Sequence, residues 1–135
     1  LGLGYPVLRD LNSGLIMLSI SGFGSDGPES GRAAYAPIIH GESGVLARQA
    51  RFARGNAVDM AVSMADTFSA LHGLVALLAA VHMRHATGLG QHVEVAMIDA
   101  MLVTDDHLHA VLDDVEEADA PRSEVWPTAG GAMVI

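Results

Sequence analysis

Asp66-Thr67-Phe68-Ser69-Ala70-Leu71-His72-Gly73-Leu74-Val75-Ala76-Leu77-Leu78 opens an apolar segment that continues to Arg84 and turns at Thr87-Gly88-Leu89-Gly90-Gln91. The alternating stretch His92-Val93-Glu94-Val95-Ala96-Met97 follows directly. Phe68, Leu71, Leu74, Val75, Leu77, Leu78 and Val81 place apolar side chains nearly all round a helix over 63–84, so that helix is expected at the centre of the fold. Ala70, Gly73, Ala76 and Ala80 are small enough to let other backbone approach closely. Val93, Val95 and Met97 share one face of a strand.

Upstream, Leu15-Ile16-Met17-Leu18-Ser19-Ile20-Ser21 is a nearly continuous apolar run between Gly14 and Gly22, the pattern of a strand covered on both faces in a parallel sheet. A glycine-rich loop over 22–31 follows. Residues 33–45 read as a short helix weakened by Pro37 and ended near Gly44, and 48–62 as loop with some strand. Residues 98–112 read as a second helix, 113–124 as an acidic linker and 126–135 as a hairpin with its turn at Gly130-Gly131. The strand–loop–helix–helix–strand–helix order argues for an α/β layered fold.

The chain has 135 residues, half of them hydrophobic, so a sizeable core is available. It begins without methionine and stops within the apolar run Ala132-Met133-Val134-Ile135, and is expected to be a piece of a larger protein. No cysteine is present, which excludes a disulfide framework and thiolate chemistry. The net charge is −9 and every basic residue is Arg, a balance that argues against nucleic acid as partner. The eight acids between Asp105 and Glu124 read as a solvated face or linker. The apolar run Phe68–Val81 is interrupted by His72 and falls short of the ~20 residues a bilayer span needs, and a cytoplasmic location without membrane contact is expected.

Asp66 has two readings. Ser63-Met64-Ala65-Asp66 fits a capping box, with the Asp66 side chain returning to the Ser63 N–H, or Asp66 is itself the N-cap. Alternatively, a carboxylate held at the head of a buried helix is a nucleophile. Gly22-Phe23-Gly24-Ser25-Asp26-Gly27 spells G-x-G-x-x-G after a strand, yet Pro28 follows and no acid lies at the end of a second strand about 20 residues on, so dinucleotide binding is not supported. Arg48, Arg51 and Arg54, spaced by three, offer a basic face for phosphates or for ion pairs. His82/His85 and His107/His109 lack the companions of a metal site, and His82 and His85 suit a helix C-terminus. Arg84 is expected to bind helix-terminal carbonyls. Asp99 is expected to cap the following helix.

The ordered set Ser19-Ile20-Ser21-Gly22-Phe23-Gly24, Gly27-Pro28, Ser43-Gly44-Val45, Asp66, Arg84, Thr87-Gly88-Leu89-Gly90-Gln91 and Met97-Ile98-Asp99-Ala100 resembles the class III coenzyme A transferases. That group holds formyl-CoA and carnitine-CoA transferases and the 2-methylacyl-CoA racemases. The Thr-Gly-x-Gly-Gln element at its distance from Asp66 is the specific part. The resemblance implies a Rossmann-like parallel-sheet large domain over 1–112, with 125–135 opening a small domain, in an interlocked homodimer. It implies Asp66 as catalytic nucleophile, with Tyr35, Ala34 and Met97 lining the coenzyme A pocket. Acyl-CoA and a carboxylic acid would be the substrates, with no permanently bound cofactor.

Tyr35 and Ala36 stand where the racemases place a His-Asp pair, which favours transferase. The transferases follow that Tyr with an acid, which Ala36 does not supply. A partly buried loop aromatic is the plain reading of Tyr35, and a core methionine that of Met97. His40, five residues beyond Tyr35, would replace the missing racemase base only if its helix were rotated; otherwise it is simply packed. The alternatives to a transferase are an acyl-CoA racemase using Asp66 as acid/base and a non-catalytic scaffold in which Asp66 only caps.

Overall fold

Met17–Ser21 (β1) and His92–Ala96 (β2) pair in parallel, with Met17 opposite His92 and Ser21 opposite Ala96. A computed structural model describes residues 2–104 and 125–134 of the chain. The parallel pair and the helices that cross between its strands make this an α/β fold, as the apolar run and the alternating stretch imply. Ahead of β1 lies α1 (Tyr5–Leu11), which the sequence reading did not anticipate. Tyr5 stacks on the His92 ring at 5.2 Å, and His92 Nε2 bonds the Ser19 hydroxyl at 2.8 Å across the strand pair.

Between the strands run α2 (Ala36–Glu42), α3 (Val45–Ala53) and α4 (Met64–Thr87). The short helix expected over 33–45 is α2, and it ends, as expected, before Gly44, which takes a positive φ of 81°. Pro37 does not weaken α2. It sits in the first turn, where its missing N–H has no helical partner to lose. Residues 48–53, within the stretch over 48–62 expected as loop with some strand, belong instead to the helix α3, and the chain leaves that helix through Arg54 in the left-handed region.

The helix expected over 63–84 is α4, with 24 residues. Its end explains the Thr-Gly-x-Gly-Gln element in physical terms. Gly88 closes the helix at φ 75°, and its N–H bonds the Arg84 carbonyl at 2.8 Å. The Thr87 hydroxyl donates to the Met83 carbonyl at 2.9 Å and accepts the Leu89 N–H at 3.2 Å. Gly90 donates to the Ser13 carbonyl at 2.8 Å, and a Cβ there would collide with the Leu15 carbonyl. The Gln91 carbonyl then accepts the Met17 N–H at 3.1 Å and starts the parallel ladder. Each residue of the turn thus either ends α4 or sets the register of β2 against β1.

Burial corrects the picture of α4. Its inward side is the small-residue row Ala65, Ser69, Gly73 and Ala80, and Gly73 lets Leu18 of β1 come to 3.1 Å of where a Cβ would stand. Leu71, Leu74, Val75 and Leu78, expected at the centre, are half exposed or more among the described residues. Close approach to the two strands needs small residues, so the larger ones are turned aside. By length and composition alone α4 would also pass as a membrane span, which the shorter run Phe68–Val81 does not. It nevertheless packs on a sheet whose outer edges are unpaired among the described residues, an arrangement costly in hydrocarbon.

β2 ends at Ala96 and α5 (Met97–Leu102) begins at once. Asp99 lies in the first turn of α5 without any side-chain capping bond, so it is not the cap expected. The remainder of the helix expected to 112 and the acidic linker at 113–124 fall outside the described residues, as do His107 and His109. The expected hairpin is present as β3 (Val125–Thr128) and β4 (Gly131–Val134), antiparallel, with Ala129 and Gly130 forming its turn.

Candidate active site

α4 returns antiparallel to the strands. Arg84 near its C-terminal end reaches the Gly14 carbonyl ahead of β1, at 3.4 Å, rather than the helix-terminal carbonyls expected of it. Its N-terminal end therefore lies at the carboxyl end of the sheet, where open parallel sheets place their sites. There one core joins Ala36, Ile39, Ala65, Met97 and Met101, with Phe23, Ala34 and Phe68 packed against it. The Ile98 N–H bonds the Gly22 carbonyl at 3.1 Å, tying the end of β1 to the start of α5. Tyr35 precedes Ala36 and Asp66 follows Ala65, so this core brings the segments bearing Tyr35, Asp66 and Met97 to one end of the sheet.

Asp66 is the third residue of α4 and is exposed. No capping box forms. The Ser63 side chain makes no capping bond, the Thr67 N–H and hydroxyl both bond the Ser63 carbonyl, and the Asp66 carboxylate has no hydrogen-bond or ion-pair partner among the described residues.

The cap comes from elsewhere. His40, 1% exposed on α2, accepts the Ala65 N–H at Nε2 (3.2 Å), while its Nδ1 meets Asp59 Oδ1 at 2.9 Å. Asp59 Oδ1 also accepts the Met60 N–H at 2.9 Å. The His40 imidazole, and the Met60 N–H behind it, hold the Asp59 carboxyl below its ordinary value, against a smaller opposing effect of desolvation. With both ring nitrogens engaged and the ring in the core, His40 is not placed as the missing racemase base. Sequence reasoning singled out His40 but missed Asp59. The signal available was the spacing of Ala36, Ile39 and His40, which puts the imidazole on the core face of α2.

Tyr35 is 74% exposed, not partly buried, and its carbonyl accepts the N–H groups of Ile38 and Ile39 at the start of α2. Ala34 is half-buried and lies so close to Gly22 that any side chain at 22 would strike it. Met97 is 7% exposed and packs into the core, as its plain reading as a core methionine has it. The glycine loop holds Gly24 and Gly27 at positive φ, and the next helix begins only at Ala36, so no helix opens onto the G-x-G-x-x-G stretch. Arg32 from this loop lies 5.0 Å over the Phe23 ring and pairs with Glu29 and Glu42. Arg48 stacks on Phe52 within α3. His82 and His85 are exposed near the C-terminal end of α4, as expected there. Beside the site, Val45, Gln49, Met60, Met64, Phe68, Met101 and Thr104 line an apolar cavity of about 310 Å³.

A family model described as CoA-transferase family III matches residues 1–130. The chain is 34% identical over 108 residues to the succinyl-CoA–L-malate CoA-transferase beta subunit of Chloroflexus aurantiacus, covering 79% of this chain and 26% of that one. It is 32% identical over 144 residues to the succinate–glutarate CoA-transferase of Agrobacterium fabrum, covering 99% of this chain and 36% of that one. The chain thus spans between a quarter and two-fifths of the length of these relatives. Among solved structures, a CaiB/BaiF family protein of Brucella suis superposes with a TM-score of 0.73 at 27% identity, over 99% of this chain and 38% of that one. A hypothetical protein of Mycobacterium tuberculosis superposes with a TM-score of 0.77 at 25% identity, over 99% of this chain and 37% of that one.

Proposed function

We propose that this chain, which belongs to CoA-transferase family III, carries the nucleophile of an enzyme that moves coenzyme A from an acyl-CoA thioester to a carboxylic acid. The observation that carries the reading is the unengaged Asp66 carboxylate at the head of α4, on the carboxyl end of the parallel sheet. In this scheme the Asp66 carboxylate attacks the thioester carbonyl, forming a mixed anhydride and releasing CoA thiolate. The thiolate attacks the aspartyl carbonyl, forming an aspartyl-CoA thioester and freeing the donor acid. The acceptor carboxylate then displaces CoA from the aspartyl carbonyl, and the thiolate takes the acceptor's acyl group from this second anhydride, regenerating Asp66. Covalent catalysis of this kind divides one difficult exchange into easier steps. The unused Asp66 N–H and the helix dipole would stabilise the oxyanions.

Several named relatives take or give succinyl-CoA, malate, glutarate, citramalate or oxalate. Their chemistry supports a small dicarboxylate as donor or acceptor here. Tyr35 and Ala34 would flank the thiol end of coenzyme A, with Met97 backing the pocket from the core. The same reading carries a cytoplasmic, interlocked homodimer, with residues 1–112 in its large domain and 125–135 opening a small one. A racemase would need a second acid/base group beside Asp66, and His40 does not offer one. The test is to incubate the full-length protein with a panel of acyl-CoA thioesters that includes succinyl-CoA, trap with hydroxylamine, and map peptides by mass spectrometry. A hydroxamate on Asp66, absent from Asp66→Ala, is expected. An unmodified Asp66 together with α-proton exchange in heavy water would instead establish the racemase.

A further inference from the structure

We infer that the His40–Asp59 pair is the positioning element of the site: it caps α4 from outside the helix and so holds in place the first turn that presents the Asp66 carboxylate. The inference rests on the reading of Asp66 as nucleophile. A helix of this kind would ordinarily take its cap from Ser63 or from the acid three residues on. If Asp66 supplied that cap, its carboxylate would be tied to backbone N–H and turned back over the first turn. Here the Ala65 N–H, in a residue with no exposed surface, is taken by His40 Nε2 at 3.2 Å. The Met64 N–H is taken by the Val62 carbonyl at 2.9 Å. The Asp66 N–H, next in line, has no partner among the described residues.

The chemistry fixes the tautomer. An N–H donor facing Nε2 requires a lone pair there, so the ring proton sits on Nδ1 and is donated to Asp59 Oδ1. Asp59 in turn is held by the Met60 N–H. Asp59 orients the imidazole, the imidazole orients the first turn of α4, and that turn orients Asp66, although neither His40 nor Asp59 touches the reacting atoms. Loss of a catalytic group's alignment by about 1 Å can cost on the order of 100-fold in rate, so the pair should be read out in turnover and not only in stability.

The experiment uses the full-length protein with the acyl-CoA that labels Asp66 in the wild type. Failure of the wild type to label overturns the nucleophile reading, and the inference with it, before any variant is compared. For His40→Ala, the rate of Asp66 labelling and kcat should fall by ~10–100-fold, with KM for acyl-CoA changed by less than about threefold. His40→Gln, whose side-chain oxygen can accept the Ala65 N–H, should recover most of that loss. Labelling of folded His40→Ala at the wild-type rate would reduce the pair to a structural cap and overturn the inference. Nitrogen NMR of histidine-labelled wild type serves where His40→Ala does not fold: His40 protonated at Nδ1 supports the relay, and His40 protonated at Nε2 overturns it.

Discussion

At the residue scale, a carboxylate three places into a helix is ambiguous until its hydrogen bonds are known. Asp66 makes none within the described chain, so Asp66→Asn should lower stability by less than about 1 kcal/mol, the size of a helix-dipole effect, while abolishing the trapped adduct. Urea unfolding beside the trapping assay checks both halves; a loss nearer 2 kcal/mol would restore the capping role. Asp59 gives a pH prediction. Its carboxyl is held low in the folded state chiefly by His40, so its contribution to stability is fully present above the ordinary carboxylate range and is lost as pH falls through the lowered folded value. Melting temperatures of wild type and Asp59→Asn should therefore differ at neutral pH and converge on acidification. A gap that stays constant to pH 2 would show that the pairing is not the source.

At the element scale, the turn over 87–91 joins the sequence signature to the fold. Gly88 is needed for its positive φ, and Gly90 because the Leu15 carbonyl occupies the space of a side chain. Gly88→Ala should cost about 1–2 kcal/mol, the left-handed penalty. Gly90→Ala meets backbone that cannot swing away, and its cost should lie at or beyond the upper end of the roughly 1–3 kcal/mol of overpacking. Equilibrium denaturation of the two variants gives the order directly. This element was legible in the sequence because Gly, Thr and the alternation after Gln91 are local signals. α3 was not: it buries none of its residues, and its start at the left-handed Gly44 resembles a loop. α1 was missed as well: Leu8 and Leu11 stand at helical spacing, but the helix has only seven residues and buries none of them.

At the scale of the whole molecule, the described residues of α4 leave Leu71, Leu74, Val75 and Leu78 open, and the relatives matched are much longer than this chain. Contiguous exposed apolar surface of this kind binds hydrophobic dye and favours association. The 135-residue chain expressed alone is therefore expected to enhance dye fluorescence well above the full-length protein, and equal signals would show that the face closes on itself. The parallel strands, the long helix between them, the glycine turn and the acid at the helix head were all determined by the sequence alone. Each is written in periodicity, in glycine conformational freedom or in spacing along a few consecutive residues. What only the tertiary structure decided is which side of α4 faces inward and what caps it. Those depend on contacts between residues far apart in the chain, such as His40 with Asp59 and with Ala65. A row of small residues wins the inner face because the strands approach too closely for leucine, and a buried imidazole takes the cap that Ser63 and Asp66 leave unmade.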